Sequence, residues 1–146
     1  MSAGRDAVVV LVALPDALDQ YVVAHPELFF EGSFEKAVLD PWNPRVAGDI
    51  NDFQVKLVKL DGKFDWHHHT QEDELFLVVA GRMKMAFRDH EVIVEPGEFI
   101  IVPHGIEHCP EALDGECHVV LLEPGTTRNT GNVETEKTRK TLERLD

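Results

Sequence analysis

Basic side chains are scarce in this sequence: 14 Lys and Arg stand against 27 Asp and Glu, a formal charge of −13. That is the wrong sign for gripping nucleic-acid phosphates or anionic lipid heads, so neither nucleic acid nor a membrane is expected as a partner. Cysteine is nearly absent. Cys109 and Cys117 are too few for a disulfide framework, and their spacing is not that of a zinc finger. Both are expected to be small buried hydrophobes in a chain of the reducing cytoplasm. Long apolar runs are missing too. Residues 7–14 (AVVVLVAL) fall far short of the roughly 20 apolar residues a spanning helix needs. They also make a poor leader, because Arg5 is offset by Asp6 and no small-x-small cleavage site follows. The run reads as a strand or the start of a buried helix.

What is present fits one globular domain of 146 residues, 43% hydrophobic and 28% charged. A domain this long buries about two-thirds of its unfolded surface, so it needs neither disulfide nor metal merely to fold. The acidity sits on the body, since residues 61–123 hold 4 basic and 14 acidic side chains. Residues 1–40 read as an extension packing on the body or on a partner chain, 41–123 as a barrel, and 124–146 as a polar tail. Within the extension, Pro15, Asp16 and Asp19 open a short helix over 17–24, which Pro26 ends. Asp40-Pro41-Trp42-Asn43-Pro44 is a connector of turn formers. Residues 135–145 offer a terminal helix with Leu142 and Leu145 as its apolar contacts, although their polarity fits a fraying segment better.

From Phe53 onward, short apolar runs at 53–57, 74–80, 83–87, 92–94, 99–102 and 118–122 alternate with turn formers such as Gly81, Pro96-Gly97 and Asp114-Gly115. Strand-sized runs punctuated at this interval predict an antiparallel sandwich or barrel. Met83, Met85 and Phe87 alternate with Lys84, Ala86 and Arg88, as a strand with one buried face should. Residues 75–80 (LFLVVA) are apolar on both faces, so their outer side is expected to be covered, by an N-terminal strand or by a second subunit. A homodimer is expected on this ground.

Seven of the eight histidines fall between His67 and His118. His67 and His69 are expected on a strand, where they share one face and His68 takes the other. Asp73 and Glu74 follow a plausible turn, and His108 opens a later strand. Taken singly, each reads as a surface or hydrogen-bonded residue. Imidazoles and a carboxylate converging inside a barrel make a preformed site for a divalent transition metal, with about two octahedral positions left for water or substrate.

The spacing gathers these residues into two motifs. Gly62-x4-His67-x-His69-x4-Glu74-x6-Gly81 resembles the first conserved motif of the cupin superfamily, one residue shorter than usual between the glycine and the first histidine. Gly97-x5-Pro103-x-Gly105-x2-His108 resembles the second, with Ala112 where an Asn often stands. The resemblance covers residues 53–123 and implies an all-β fold, a double-stranded antiparallel β-helix or jelly-roll barrel of roughly six to eight strands, commonly dimeric. It implies His67, His69, Glu74 and His108 as ligands of one divalent transition metal per chain, Fe, Mn, Ni or Zn. Asp73 remains a rival for Glu74. Of the other histidines, His104 is expected at the barrel mouth, His118 in a late strand that could face the cavity, and His90 and His25 at the surface. Trp66 is expected to face away from the metal.

Fold alone does not settle activity. The leading expectation is a small-molecule metalloenzyme with dioxygenase-type chemistry, in which Glu74 also serves as a general base. An alternative is metal-assisted isomerase or lyase chemistry on a carbonyl or sugar. Another is a non-catalytic module that holds a metal or small ligand. Lys63, Arg82, Lys84 and Arg88 are the only cations between Asp61 and Glu123, which argues against a phosphorylated or nucleotide-linked sugar.

Overall fold

Two long strands organise the computed structural model, which describes residues 38–145; the expected helix over 17–24, the run at 7–14 and His25 lie outside the described residues. The strands are β1 (Arg45–Ile50), β2 (Phe53–Leu60), β3 (Glu74–Phe87), β4 (Glu91–Val94), β5 (Phe99–Val102) and β6 (His108–Pro124), with no helix among the described residues. All pairings between them are antiparallel, in the order β1-β2-β6-β3-β4, with β5 also on β3. The first half of β3 pairs β5 and its second half pairs β4, while β6 pairs along both halves. One bent pair thus serves both sides of a jelly-roll barrel. No described helix is long and apolar enough to cross a membrane.

Gly81 and Asp114-Gly115, expected as turns between separate strands, lie instead inside β3 and β6. They bend the strands without reversing them. The register slips between Val78 and Arg82, where Gly81 takes a φ of 78°. A Cβ there would lie 2.4 Å from the Glu116 carbonyl oxygen and 2.9 Å from Cys117 Cα. Only glycine allows β3 to approach β6 so closely at this corner. β1 was not legible in the sequence, because Arg-Val-Ala-Gly-Asp-Ile carries little strand signal until β2 supplies its partner.

Strand alternation sorts the apolar side chains into two layers. Val58, Phe76, Val78, Met83, Met85 and Val119 belong to the barrel core. Leu57, Val120, Leu77 and Val79 point the other way and pack under Val38, Ala47 and Leu145. The outer side of residues 75–80 is thus covered in part by the chain's own β1 and its C-terminal end. Phe99 and Ile101 on β5 stay 61% and 54% exposed.

The terminal segment is neither helix nor a loose end. Leu145 N donates to Val46 O at 2.8 Å, and Thr127 and Thr130 are buried. Backbone bonds that a polar sequence leaves undetermined are satisfied here by the barrel wall and by the segment's own side chains.

Candidate metal centre

His67 and His69 sit on an extended stretch that meets the start of β6 through isolated bridges: His67 N donates to His108 O at 3.1 Å and His108 N to His67 O at 2.9 Å, and Phe64 N donates to Pro110 O at 2.9 Å. The expected alternation survives without a full strand, since His67 and His69 are buried and His68 is half-buried. Glu74 opens β3 and His108 opens β6. One donor atom from each of His67, His69, Glu74 and His108 lies within 4.8 Å of the other three, and all four residues are buried. Asp73 is not among them. It lies outside the barrel, where its Oδ1 accepts from His104 Nδ1 at 2.7 Å and from His104 N at 2.8 Å.

Local hydrogen bonds fix the imidazoles. His67 Nδ1 lies 2.9 Å from the Asp65 carbonyl and His108 Nδ1 lies 2.9 Å from the Ile106 carbonyl. A carbonyl only accepts, so each Nδ1 carries a hydrogen and each Nε2 is turned toward the cluster, where His108 Nε2 lies 3.1 Å from Glu74 Oε2. Burial, then the neighbouring His108, pushes His67 down to about 4, so its ring is neutral near pH 7. Burial alone would raise Glu74, but polar contacts with His108, His69 and Glu123 overcome it and hold the carboxyl well below its usual range. His67 and Glu74 therefore present a neutral imidazole and an ionised carboxylate, the forms a transition metal requires.

His69 Nε2 provides the test of fit. It is fully buried and 3.0 Å from Glu74 Oε2, yet too poorly aligned to hydrogen-bond it. Buried polar atoms rarely go without a partner, and a cation between the two would satisfy both. The donor set suits the group.

Beside the cluster lies a small cavity of about 40 Å³, walled by Trp42, Phe64, Phe76 and Leu121. Trp42 stacks on Phe64 at 4.7 Å, and its Nε1 donates to Asp61 O at 3.0 Å. Among the described residues, the polar wall residues are His67, Glu74, Glu123 and Asn129, with no Lys or Arg. Glu123 accepts from Lys56 Nζ at 2.6 Å, and both residues are 1% exposed. Burial, then the charge of Glu74 and a hydrogen bond shared with it, pushes Glu123 well above its usual range, against the pull of Lys56.

The sequence reading missed Glu123, Lys56 and Trp42. A signal existed for the first two. Glu123 is in phase with the inward Val119 and Leu121, and Lys56 with the inward Val58 and Leu60. Trp42 lay in a segment read only as a connector. His118 stays out of the cluster, with Nε2 3.4 Å from Glu116 Oε2. His90 is exposed beside Asp89, and Arg88 sits 3.9 Å over the Trp66 ring, outside the cavity wall.

A family model described as Cupin domain matches residues 55–125. A solved cupin-2 domain containing protein from Shewanella frigidimarina is 35% identical, with 76% of this chain and 94% of that one covered and a TM-score of 0.57. A Neisseria meningitidis protein of known structure is 27% identical, with 77% and 99% covered and a TM-score of 0.56. The curated Bacillus subtilis protein YdbB is 36% identical over 61 residues, 41% of this chain and 54% of YdbB. The match thus spans about half of that relative's length.

Proposed function

The chain belongs to the cupin family, and on that footing we propose that it is a metal-dependent protein acting on a small molecule, with His67, His69, Glu74 and His108 holding one divalent transition metal per chain. One observation carries this reading. A fully buried His69 Nε2 lies 3.0 Å from Glu74 Oε2 with no hydrogen bond of its own, inside a cluster of buried imidazoles. When bound, the cation would supply Lewis acidity or a redox centre at the positions four protein ligands leave open. The residues do the rest. The Asp65 and Ile106 carbonyls keep two imidazoles in one tautomer. Trp42, Phe64, Phe76 and Leu121 exclude water from the ligand's path and set its size.

We put dioxygenase-type chemistry first. Three imidazoles with one carboxylate suit a redox metal such as Fe or Mn, and the cavity wall is largely apolar. A wall without Lys or Arg favours an uncharged substrate over a phosphorylated one. One observation supports the isomerase or lyase alternative: Glu123 stands on the cavity wall beside Glu74 with its carboxyl pushed well above the usual range, as suits a general acid. A cytoplasmic setting belongs to the same reading, supported by the free, buried Cys109 and Cys117. So does a homodimer, supported by the exposed Phe99 and Ile101.

Elemental analysis of protein made without a His tag is expected to find about one transition metal per chain. His67→Ala, His69→Ala and His108→Ala should each lose most of it, and His68→Ala should not. Metal-free wild type, or equal loss in His68→Ala, would remove the reading. Oxygen uptake by the Fe(II)-loaded protein with phenols, diketones and thiols then separates the chemistries. Uptake supports the dioxygenase. Solvent-deuterium exchange into a carbonyl substrate without uptake supports the isomerase or lyase, and tight ligand binding without turnover supports a binding module.

A further inference from the structure

We infer that the C-terminal segment after β6 is part of the metal centre, with Gly131 and Asn132 acting as positioning residues for the stretch that carries His67 and His69. The inference rests on the metal reading above and adds residues that neither the motifs nor the cluster itself includes.

The backbone of that stretch is bonded on two sides. His67 exchanges both of its backbone bonds with His108, and Gly105 N donates to His69 O at 2.7 Å. His68, between the two cluster histidines, faces the opposite way, and none of the described strands receives it there. Asn132 takes the place of a strand. Its backbone N donates to His68 O at 3.0 Å, and its side-chain Oδ1 accepts from His68 N at 2.8 Å. One residue thus satisfies both backbone groups of His68.

Gly131 makes this approach possible. It has a φ of 54°, and a Cβ on it would lie 2.2 Å from His68 O and 3.1 Å from His67 Cδ2. The clamp is braced from behind. Thr130, fully buried, donates through Oγ1 to Val133 O at 2.7 Å. Asn129 donates from Nδ2 to Lys137 O at 2.8 Å and accepts at Oδ1 from Arg139 N at 2.9 Å. Asn129 also lines the cavity beside the cluster. A left-handed glycine packed on a ligand's backbone, next to an Asn bonded twice to the same peptide unit, is a built contact.

The functional consequence is geometric. His67 and His69 are joined through His68, so a shift of His68 moves both imidazoles at once. Ligand distances tolerate about 0.2 Å, less than a released backbone would drift.

The test uses the full chain, loaded with Co(II) as the probe metal. Co(II) affinity by competition, the visible absorption bands of bound Co(II) and the melting temperature of the metal-free protein are read for each variant. Asn132→Ala is expected to weaken Co(II) binding about fivefold, the worth of one ordinary hydrogen bond, and to shift the bands. Asn132→Asp keeps the acceptor for His68 N and should restore both affinity and bands. Gly131→Ala should weaken binding at least tenfold. Asn132→Ala with wild-type affinity and bands would overturn the clamp. So would Asn132→Asp failing to restore the bands while the melting temperature of Asn132→Ala falls, since that marks a role in stability alone. A wild type that binds no Co(II) would sink the metal reading itself, a different result from either.

Discussion

His67 carries the site's chemistry and its pH dependence together. The folded chain holds it at about 4 where the ordinary value is 6.5. The unfolded chain therefore takes up its proton first as the pH falls. Stability of the metal-free protein should be full above about pH 6.5 and decline until about pH 4, by on the order of 3 kcal/mol. Urea midpoints of metal-free protein at pH 7 and pH 4.5 would show the fall, and His67→Gln should flatten its share of it. An unchanged slope in that variant would mean that His67 is not buried as described. At this scale the sequence was largely legible. Strand parity separated His67 and His69 from His68, although only the fold distinguished Glu74 from Asp73, two neighbours that point to opposite sides of the barrel wall.

Elements are joined by contacts that the sequence spreads far apart. The bend in β3 depends on Gly81, and Gly81→Ala would press a Cβ into the Glu116 carbonyl and Cys117 Cα of β6. A cost of about 2 kcal/mol or more is expected, read as a lower urea midpoint with the Co(II) bands of the loaded protein retained. A wild-type midpoint would show that the bend does not need glycine. The Lys56–Glu123 pair joins β2 to β6 inside the barrel. Glu123→Leu alone leaves a buried ammonium without its partner, its next contact being Thr127 O at 3.5 Å. It should cost about 3 kcal/mol, whereas Glu123→Leu combined with Lys56→Met should return close to wild type. Chemical denaturation of the metal-free variants checks both, and a double variant as weak as the single would contradict the pairing. Strand existence was readable from alternating runs. Strand continuity through Gly81 and Gly115 was not, because a glycine marks a turn and a bent strand alike.

At the scale of the whole molecule, a protein of charge −13 keeps Phe99 and Ile101 exposed on β5 while Val38, Ala47 and Leu145 cover the neighbouring face. Such apolar exposure on a strand with one paired edge favours a second copy over solvent. Light scattering at micromolar concentration should give twice the chain mass, and Phe99→Glu should shift it toward one. A single-chain mass for the wild type would end the dimer expectation. By itself the sequence determined the class of fold, the buried side of residues such as Met83 and Met85, and the three histidines of the cluster. These follow from local periodicity and from motif spacing, which a linear chain records directly. Tertiary structure alone decided that Glu123 and Lys56 meet beside Glu74, that Trp42 and Phe64 wall the cavity, and that Asn132 clasps His68. Each of those contacts joins residues far apart in sequence through barrel closure, and no local pattern encodes where a closed sheet brings its ends together.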